Sequence, residues 1–271
     1  MGKIDSLNKE VILKLVDDTK NNTIELEIHH QLDSTNAYLM QQPVSQNIRV
    51  CIAETQTGGR GRYGKKWYSP AESNIYLSIS HCMKKPISEL SGLSLLIGLS
   101  LAQTLQAFCD DEITVKWPND LLVDGKKLSG ILIEIKNLPG GVCQLIIGIG
   151  INVAMSETDT ELISQPWTSL SLCHPIAPLS RNIIIGSLLI DIADKLEHFE
   201  QNGFNEYSQQ WNNLDVWYKK MVELAMGKDS VTGVHKGVDL NGALLLECDG
   251  KITAYNSGQV SLRRARNAIT D

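Results

Sequence analysis

The sequence lacks the features that mark secreted, membrane and zinc-binding proteins. No C-x-x-C pair occurs, and the most apolar stretch, residues 93–102, is interrupted by serine and glycine and is too short to span a bilayer. Residues 1–18 carry charged side chains throughout, which is not the pattern of a secretion signal. The net charge of −6 argues against a broadly basic nucleic-acid-binding domain. The six cysteines are far apart in sequence: Cys51, Cys82, Cys109, Cys143, Cys173 and Cys248. We therefore predict a cytoplasmic globular protein with buried thiols that interacts with neither membrane nor DNA.

The segment from Gly58 to Trp67 is the most informative part of the chain. It reads GGRGRYGKKW and combines four glycines with four cations. Glycines let backbone N–H groups approach an anion closely, and arginines present planar forks to carboxylate or phosphate oxygens. The tryptophan offers a face for a ring. The segment is therefore typical of a site for a ligand that is both anionic and aromatic, such as a nucleotide.

Two well-known nucleotide motifs match this segment but lack their structural context. Gly59, Gly61 and Gly64 satisfy G-x-G-x-x-G, and a partial Walker pattern ends at Lys65. Both motifs require a helix immediately downstream. Here Pro70 is followed by the alternating strand pattern of residues 74–80, so a Rossmann fold or a P-loop is disfavoured. A solvated basic loop remains the alternative.

Hydrophobic periodicity predicts a mixed α+β domain followed by a small β-barrel. Strands are predicted over residues 24–32, 49–54, 74–81, 113–117 and 143–153, with a hairpin over 121–135 that turns at Asp124-Gly125. Long helices are predicted over 88–109 and 181–201, and shorter ones at 6–17, after Asp33-Ser34 and over 204–211. From Met221 onward, short strands divided by glycine turns indicate a barrel of roughly fifty residues.

Three further motifs carry chemically suggestive residues. Lys116-Trp117-Pro118-Asn119-Asp120 ends a strand, where the acid can bind Mg²⁺ or accept a proton, or simply cap the turn. Lys127 follows the Asp-Gly turn beside Gly130; it faces either a glycine-lined gap or solvent on a strand edge. Residues 148–152 (GIGIN) form a strand with glycine at alternate positions, which indicates close approach of a ligand or of packed elements.

Taken in order, these motifs closely resemble those of biotin protein ligases. The resemblance rests on DSTN at 33–36, GRGRYGKKWYSP at 59–70, KWPND at 116–120 with KKLSGILIE at 126–134, and GIGINV at 148–153. It extends from about residue 7 to residue 264. It implies a class II synthetase-like catalytic domain, as in biotin ligases, in which helices pack on one face of a mixed sheet. An SH3-like barrel is expected to follow. The expected division is a short helical lead-in (1–22), a catalytic domain (23–218) and the barrel (219–271).

The resemblance also implies an ATP-dependent ligase. Biotin would react with ATP to give biotinyl-5′-AMP, and biotin would then pass to a lysine of a biotin carboxyl carrier protein, for example that of acetyl-CoA carboxylase. Lys127, Arg62 and Asp120 are the expected catalytic residues, and Mg²⁺, bound by Asp120, is the expected cofactor. Expected biotin contacts are Ser34, Thr35, Asn36, Gln56, Gly59, Arg60, Gly61, Arg62, Lys127 and Gly130. Expected ATP contacts are Arg62, Trp67, Asn119, Asp120, Asn152 and Arg263.

The sequence departs from the family pattern at a few positions. Tyr63 and Lys65 stand where basic residues or arginine are common, and Glu72 stands where glycine is usual, so we expect weaker loop electrostatics. The short segment before the first strand predicts a monofunctional ligase without a DNA-binding domain, as a monomer or weak homodimer. The alternatives are a lipoate–protein ligase of similar fold, a non-catalytic biotin-sensing regulator, and a nucleic-acid binder. The arginine loop and Gln56 favour biotin over lipoate.

Overall fold

The computed structural model of the chain describes residues 4–17, 24–155, 163–176, 178–258 and 261–264. Within these ranges the chain forms a seven-stranded mixed sheet and a separate five-stranded antiparallel sheet. The predicted α+β fold, with a catalytic-type sheet domain and an SH3-like barrel, is confirmed. Residues 1–3 and 18–22 of the predicted lead-in, and residues 259–260 and 265–271 of the predicted barrel, lie outside the described ranges.

The first sheet has the order β1-β2-β3-β7-β6-β5-β4. Strands β1 and β2 are parallel, and the other neighbouring pairs are antiparallel. Strands β5 and β6 are joined at Asp124 and Gly125, which both have positive φ (50° and 74°), as a type I′ hairpin requires. The strands are β1 (Ile24–Leu32), β2 (Ile48–Gln56), β3 (Ile75–Met83), β4 (Thr114–Lys116), β5 (Asp120–Val123), β6 (Lys126–Leu138) and β7 (Val142–Ile151).

The helices within the described ranges are α1 (Lys9–Asp17), α2 (Thr35–Gln41), α3 (Leu93–Gln106), α4 (Arg181–Asn202) and α5 (Ser208–Leu214). Alternate strand residues separate two cores, because successive side chains point to opposite faces of a sheet. Ile147 and Ile149 join the large core with α1, α3 and α4, whereas Ile146 joins a small cluster with Leu39 of α2. The longer helices thus cover one face, and α2 lies on the other.

Local signals set most helix ends, with three differences from prediction. The helix predicted over 6–17 begins later, at Lys9. The Ser180 hydroxyl accepts the Ile183 N–H at 3.3 Å and begins α4, as predicted. The predicted helix 88–109 is shorter, since a 3₁₀ turn at Ile87–Glu89 precedes α3 and Gly92, with φ 82°, caps it. The predicted helix 204–211 divides into a 3₁₀ turn, Asn205–Tyr207, and α5.

The second sheet packs against the first domain through buried polar contacts. Trp117 Nε1 donates to Gly242 O at 3.2 Å, and the fully buried Asp215 Oδ2 and His235 Nε2 lie 2.5 Å apart. The strands of this second sheet are β8 (Met221–Met226), β9 (Asp229–Val238), β10 (Leu244–Cys248), β11 (Lys251–Tyr255) and β12 (Ser261–Arg264), in the order β11-β10-β9-β8-β12.

None of the described helices has the length and apolar character needed to cross a membrane.

Candidate active site

A cleft of about 1000 Å³ opens on the sheet face that carries α2. The N-terminus of α2, the 58–67 segment, strands β5 to β7 and strand β12 all contribute to its walls. The cleft brings together every predicted site residue except Gly59: Ser34, Thr35, Asn36, Gln56, Arg60, Gly61, Arg62, Trp67, Asn119, Asp120, Lys127, Gly130, Asn152 and Arg263. Residues from distant parts of the chain therefore converge on one site.

The segment 58–67, here called the ligand loop, is a small hairpin. Gly61 N donates to Lys65 O at 2.7 Å and Trp67 N donates to Gly59 O at 2.9 Å. Tyr63 and Gly64 make the turn with φ of 59° and 70°. Gly59 is closely packed, because a Cβ there would lie 2.9 Å from both Ser69 Oγ and Trp67 O. Packing against Ser69 and Trp67 therefore requires a glycine at position 59. Gly59 is not among the residues that line the cleft.

Buried hydroxyl and amide groups meet at the N-terminus of α2. The Ser34 hydroxyl caps the helix by accepting the Ala37 N–H at 3.4 Å. Gln56 Oε1 accepts both the Thr35 N–H (2.9 Å) and the Thr35 hydroxyl (3.2 Å). The fully buried Ser78 hydroxyl lies 2.7 Å from Thr35 Oγ1 and 2.6 Å from Asn36 Oδ1. Ser78 was not predicted, although its alternation within β3 places it on the cleft face.

The alternating glycines of β7 make room for side chains of the site. A Cβ at Gly148 would lie 2.3 Å from Asn36 Oδ1, and a Cβ at Gly150 would lie 2.5 Å from Trp67 Cε2. Gly130, paired with Gly150 across β6 and β7, also faces the Trp67 ring, with Cζ3 3.0 Å from its virtual Cβ. The sequence indicated close approach of a ligand or of packed elements; the structure shows that the approaching groups are Asn36 and Trp67.

Lys127 faces the cleft and pairs with Asp120. Its Nζ lies 2.6 Å from Asp120 Oδ1 and 5.2 Å from the centre of the Trp67 ring, so the solvent-facing alternative is wrong. Lys116, a site residue that was not predicted, places its Nζ 3.9 Å from Asp120 Oδ2. Burial lowers the pKa of Lys116, an effect that Asp120 opposes and that the neighbouring Lys127, Lys65 and Arg263 reinforce. The cleft thus concentrates positive charge around one carboxylate.

Asn119 and Arg62 lie at one end of the cleft. Asn119 Nδ2 donates to Ile131 O at 2.8 Å, which leaves Oδ1 to accept from Arg62 Nη1 at 3.4 Å. Arg62 Nη2 also contacts the backbone carbonyls of Ser257 and Gly258 in the second sheet domain. The guanidinium therefore lies at the junction of the two domains, at the border of the cleft.

Asn152 and Arg263 occupy different positions from the other predicted nucleotide contacts. Asn152 is buried, and its Nδ2 donates to Thr168 O (2.9 Å) and Lys127 O (3.3 Å), so it fixes the backbone around Lys127. Arg263 is exposed on β12, opposite Glu223 in the strand register, and lines the cleft from the second domain. One therefore supports the site from within, and the other adds charge at its entrance.

Glu134 links the ligand loop to α2 and was not predicted. Its carboxylate lies 3.0 Å from Arg60 Nη2 and accepts a hydrogen bond of 2.9 Å from Asn36 Nδ2. The period of two along β6 places Glu134 on the same face as Gly130, so strand register could have identified it. It fixes the Asn36 amide and the first arginine of the loop together.

The site contains few carboxylate side chains. No cluster of three or more His, Cys, Asp or Glu side chains that could hold a metal ion occurs within the described ranges. Asp120 is the only acid among the described residues that line the cleft. A metal held here would thus depend mainly on oxygen ligands supplied by a substrate, as Mg²⁺ often does with phosphates.

Comparison with known proteins assigns both parts of the chain. Residues 28–152 match the model of the biotin/lipoate A/B protein ligase family, and residues 220–263 match the biotin protein ligase C-terminal domain. The bifunctional ligase/repressor BirA of Salmonella typhimurium is 39% identical over 235 residues, which span 86% of this chain and 73% of that protein. The biotin--[acetyl-CoA-carboxylase] ligase of Mycobacterium tuberculosis is 30% identical, over 87% of this chain and 88% of that protein.

A solved structure agrees in fold. The biotin protein ligase from Aquifex aeolicus in complex with biotin and ATP superposes with a TM-score of 0.76 at 31% identity, covering 89% of this chain and 99% of that one. The match therefore extends over both sheets and the cleft between the ligand loop and β7. Together with the sequence relatives, it shows that the chain belongs to the biotin protein ligase family.

Proposed function

We propose that the cleft activates biotin with ATP and transfers it to a lysine of a carrier protein, such as the carrier domain of acetyl-CoA carboxylase. The observation that carries this proposal is the pair of Lys127 and Asp120, 2.6 Å apart, opposite a hairpin loop with two arginines. This arrangement gathers positive charge in the cleft, and the proposed reaction between a carboxylate and a phosphate needs such charge. Membership of the biotin protein ligase family supports the same reaction.

In the first half-reaction, a biotin carboxylate oxygen attacks the α-phosphorus of ATP. A new P–O bond forms, and the bond to the bridging oxygen of pyrophosphate breaks. Both reactants are anions, so their approach requires cations that are already in place. Lys127 and Arg62 are proposed to supply this charge, with Lys116 as a third contributor. Asp120 would hold Lys127 in position, since its carboxylate contacts both lysines.

In the second half-reaction, the neutral amine of the carrier lysine attacks the acyl carbon of biotinyl-5′-AMP. The C–N bond forms, the acyl–oxygen bond breaks, AMP leaves with its phosphate oxygen, and the amine loses a proton to solvent. The mixed anhydride is sensitive to water, so the site must exclude solvent. The ligand loop is the element proposed to cover it.

The remaining predicted residues are assigned by position in the cleft. Ser34, Thr35, Asn36 and Gln56 lie at the polar end beside α2 and would hydrogen-bond the ureido head of biotin. Arg60 and Gly61 would contact its tail, and Gly130 would leave room beside the ring of Trp67. On the nucleotide side, Trp67 would contact the adenine, Asn119 and Arg263 the phosphates, and Asn152 would act by holding the backbone around Lys127.

Mg²⁺ is proposed as the cofactor. The cleft suits it in one respect: Asp120 provides a single carboxylate, and a Mg²⁺ ion commonly combines one or two carboxylates with substrate phosphates. The metal would neutralise charge on the phosphate oxygens of ATP. Asp120 would then share its two oxygens between the lysines and the ion.

We also propose the division into residues 23–218 and 219–271, a monomer or weak homodimer that binds no DNA, and a cytoplasmic location. The two sheets, which span residues 24–151 and 221–264, support the boundary. A non-catalytic sensor would not need Lys127 and Asp120, which favours the enzyme.

Transfer to a carrier domain tests the proposed function. The purified chain is incubated with ATP, Mg²⁺, a carrier domain and either biotin or lipoate, and the intact mass of the carrier is measured; biotin binding to the chain is titrated separately. We expect the mass of one biotinyl group on the wild-type carrier and none on a control whose acceptor lysine is replaced by arginine. An unmodified carrier together with retained biotin binding would favour the regulator, and modification by lipoate alone would favour the lipoate ligase.

A further inference from the structure

The ligand loop is attached to the second domain at its tip. The Tyr63 hydroxyl donates to Gly258 O at 2.5 Å and accepts a hydrogen bond of 2.6 Å from Arg62 Nη2. Arg62 Nη2 in turn contacts Ser257 O and Gly258 O, and its guanidinium lies 4.8 Å from the centre of the Tyr63 ring. These contacts, made by Tyr63 and Arg62 to Ser257 and Gly258, are called here the tip contact.

The backbone at Tyr63 is unusual for a tyrosine. Its φ of 59° and ψ of 29° lie in the left-handed region, which residues with a Cβ adopt seldom. The side chain is also 53% exposed, so core burial does not explain the conformation. From this backbone conformation the Tyr63 side chain makes the tip contact with Gly258.

The tip contact lies between two cavities. Arg62 and Tyr63 line both the active-site cleft and a second groove of about 460 Å³. The second groove lies between the start of α3, strand β6 and the 256–258 segment of the second domain. Residues 117–119, 131 and 132 also line both cavities, so the tip contact forms the loop side of the wall between them.

We propose that Tyr63 is a positioning residue that holds the ligand loop closed by attaching it to the second domain. Its hydroxyl orients Arg62 from one side while the carbonyls of Ser257 and Gly258 orient it from the other. The second domain thereby controls how long the acyl adenylate stays in the cleft. This inference rests on the proposed function.

Loss of the Tyr63 hydroxyl should affect the release of the acyl adenylate and its formation to different extents. The Tyr63 hydroxyl contacts Arg62 and the backbone carbonyl of Gly258 at the tip of the loop. Removing it should therefore accelerate the loss of bound adenylate more than it slows adenylate formation at saturating biotin and ATP, because Lys127 still supplies charge to the reacting groups. A residue that acted only in folding would alter both rates together or neither.

Tyr63→Phe is the sharpest variant, because it removes only the hydroxyl and keeps the ring beside Arg62. Tyr63→Ala removes the ring as well, and Tyr218→Phe, in the exposed link between domains, is the matched control. Adenylate is formed from labelled biotin, free ligands are removed, and its release is followed. We expect release about three- to tenfold faster for Tyr63→Phe, faster again for Tyr63→Ala, and unchanged for the control.

Trypsin cleavage without ligand gives a second readout that does not depend on activity. The loop contains Arg60, Arg62, Lys65 and Lys66, and loss of the tip contact should expose these cleavage sites. We expect faster cleavage within 60–66 in Tyr63→Phe than in wild type. Equal release and equal cleavage in both proteins would overturn the proposal. Failure of the wild type to form any adenylate would instead contradict the proposed function, with the cleavage result still deciding the role of Tyr63.

Discussion

Lys127 Nζ lies 2.6 Å from Asp120 Oδ1, on neighbouring strands that meet beneath the ligand loop. A lysine and an aspartate at this distance hold each other in one geometry. The carboxylate also lies 3.9 Å from Lys116, so it orients two cations toward the same cleft. Positive charge is thus fixed before a substrate arrives, which is the arrangement that favours a reaction between two anions.

Lys127→Ala should reduce adenylate formation far more than biotin affinity. The charge that Lys127 neutralises develops as carboxylate meets phosphate, whereas the ureido head of biotin is neutral. Loss of one such charge typically costs about 10²–10³ in turnover. Pyrophosphate release and biotin titration measure the two effects separately. Lys126→Ala, at the exposed neighbouring position, is the control; wild-type pyrophosphate release in Lys127→Ala would remove this residue from the mechanism.

Arg62→Ala should leave the first domain folded and weaken retention of the adenylate. The guanidinium lies at the border of the cleft with contacts to Asn119 and to two backbone carbonyls, so it contributes little to the core. Losing a charge-assisted contact should cost about 1.5–3 kcal/mol of ligand binding. Dissociation of the purified complex measures this, alongside the thermal midpoint. Unchanged retention would contradict the position assigned to Arg62.

Gly150→Ala should displace Trp67 and with it the loop. The new Cβ would lie 2.5 Å from Trp67 Cε2, and overpacking of this kind costs about 1–3 kcal/mol of folding stability. ATP affinity should fall as the ring moves. Gly98→Ala is the matched control, since its Cβ would meet Ile131 Cδ1 at an ordinary 3.7 Å and alanine favours the helix. Equal nucleotide affinity in Gly150→Ala and wild type would show that Trp67 does not shape that site.

Asp5→Asn should remove part of the acid sensitivity of the fold. Burial raises the Asp5 pKa, but hydrogen bonds from Ser180, Arg181 and Asn182 outweigh it and the net pKa is below 3.8. A lowered pKa stabilises the fold above the unfolded-state value, and that stabilisation is lost as the pH falls through the folded-state value. The stability difference between wild type and Asp5→Asn should therefore be largest at neutral pH and shrink below about pH 4. Calorimetry across this range measures it, with the exposed Asp229→Asn as control; a constant difference would contradict the assignment.

Local signals predicted the strands, the Asp124-Gly125 hairpin and the Ser34 and Ser180 caps, because each depends on neighbours in sequence. The positions of Lys127 and Asp120 in one cleft also followed from motifs. Lys116, Ser78 and Glu134 were missed because their roles depend on which strands pair and in what register. The glycines of β7 show the same limit: their spacing was visible, but only the fold shows that Asn36 and Trp67 fill the space above them.

Detection of the acyl adenylate decides whether this chain activates biotin with ATP. The chain is incubated with ATP and Mg²⁺ and with either biotin or lipoate, and the released small molecules are identified by mass spectrometry. Lys127→Ala and a sample without ATP serve as controls. We expect biotinyl-5′-AMP from the wild type with biotin, little from Lys127→Ala and none without ATP. Lipoyl-AMP formed in preference, or no adenylate with either acid, would contradict this expectation.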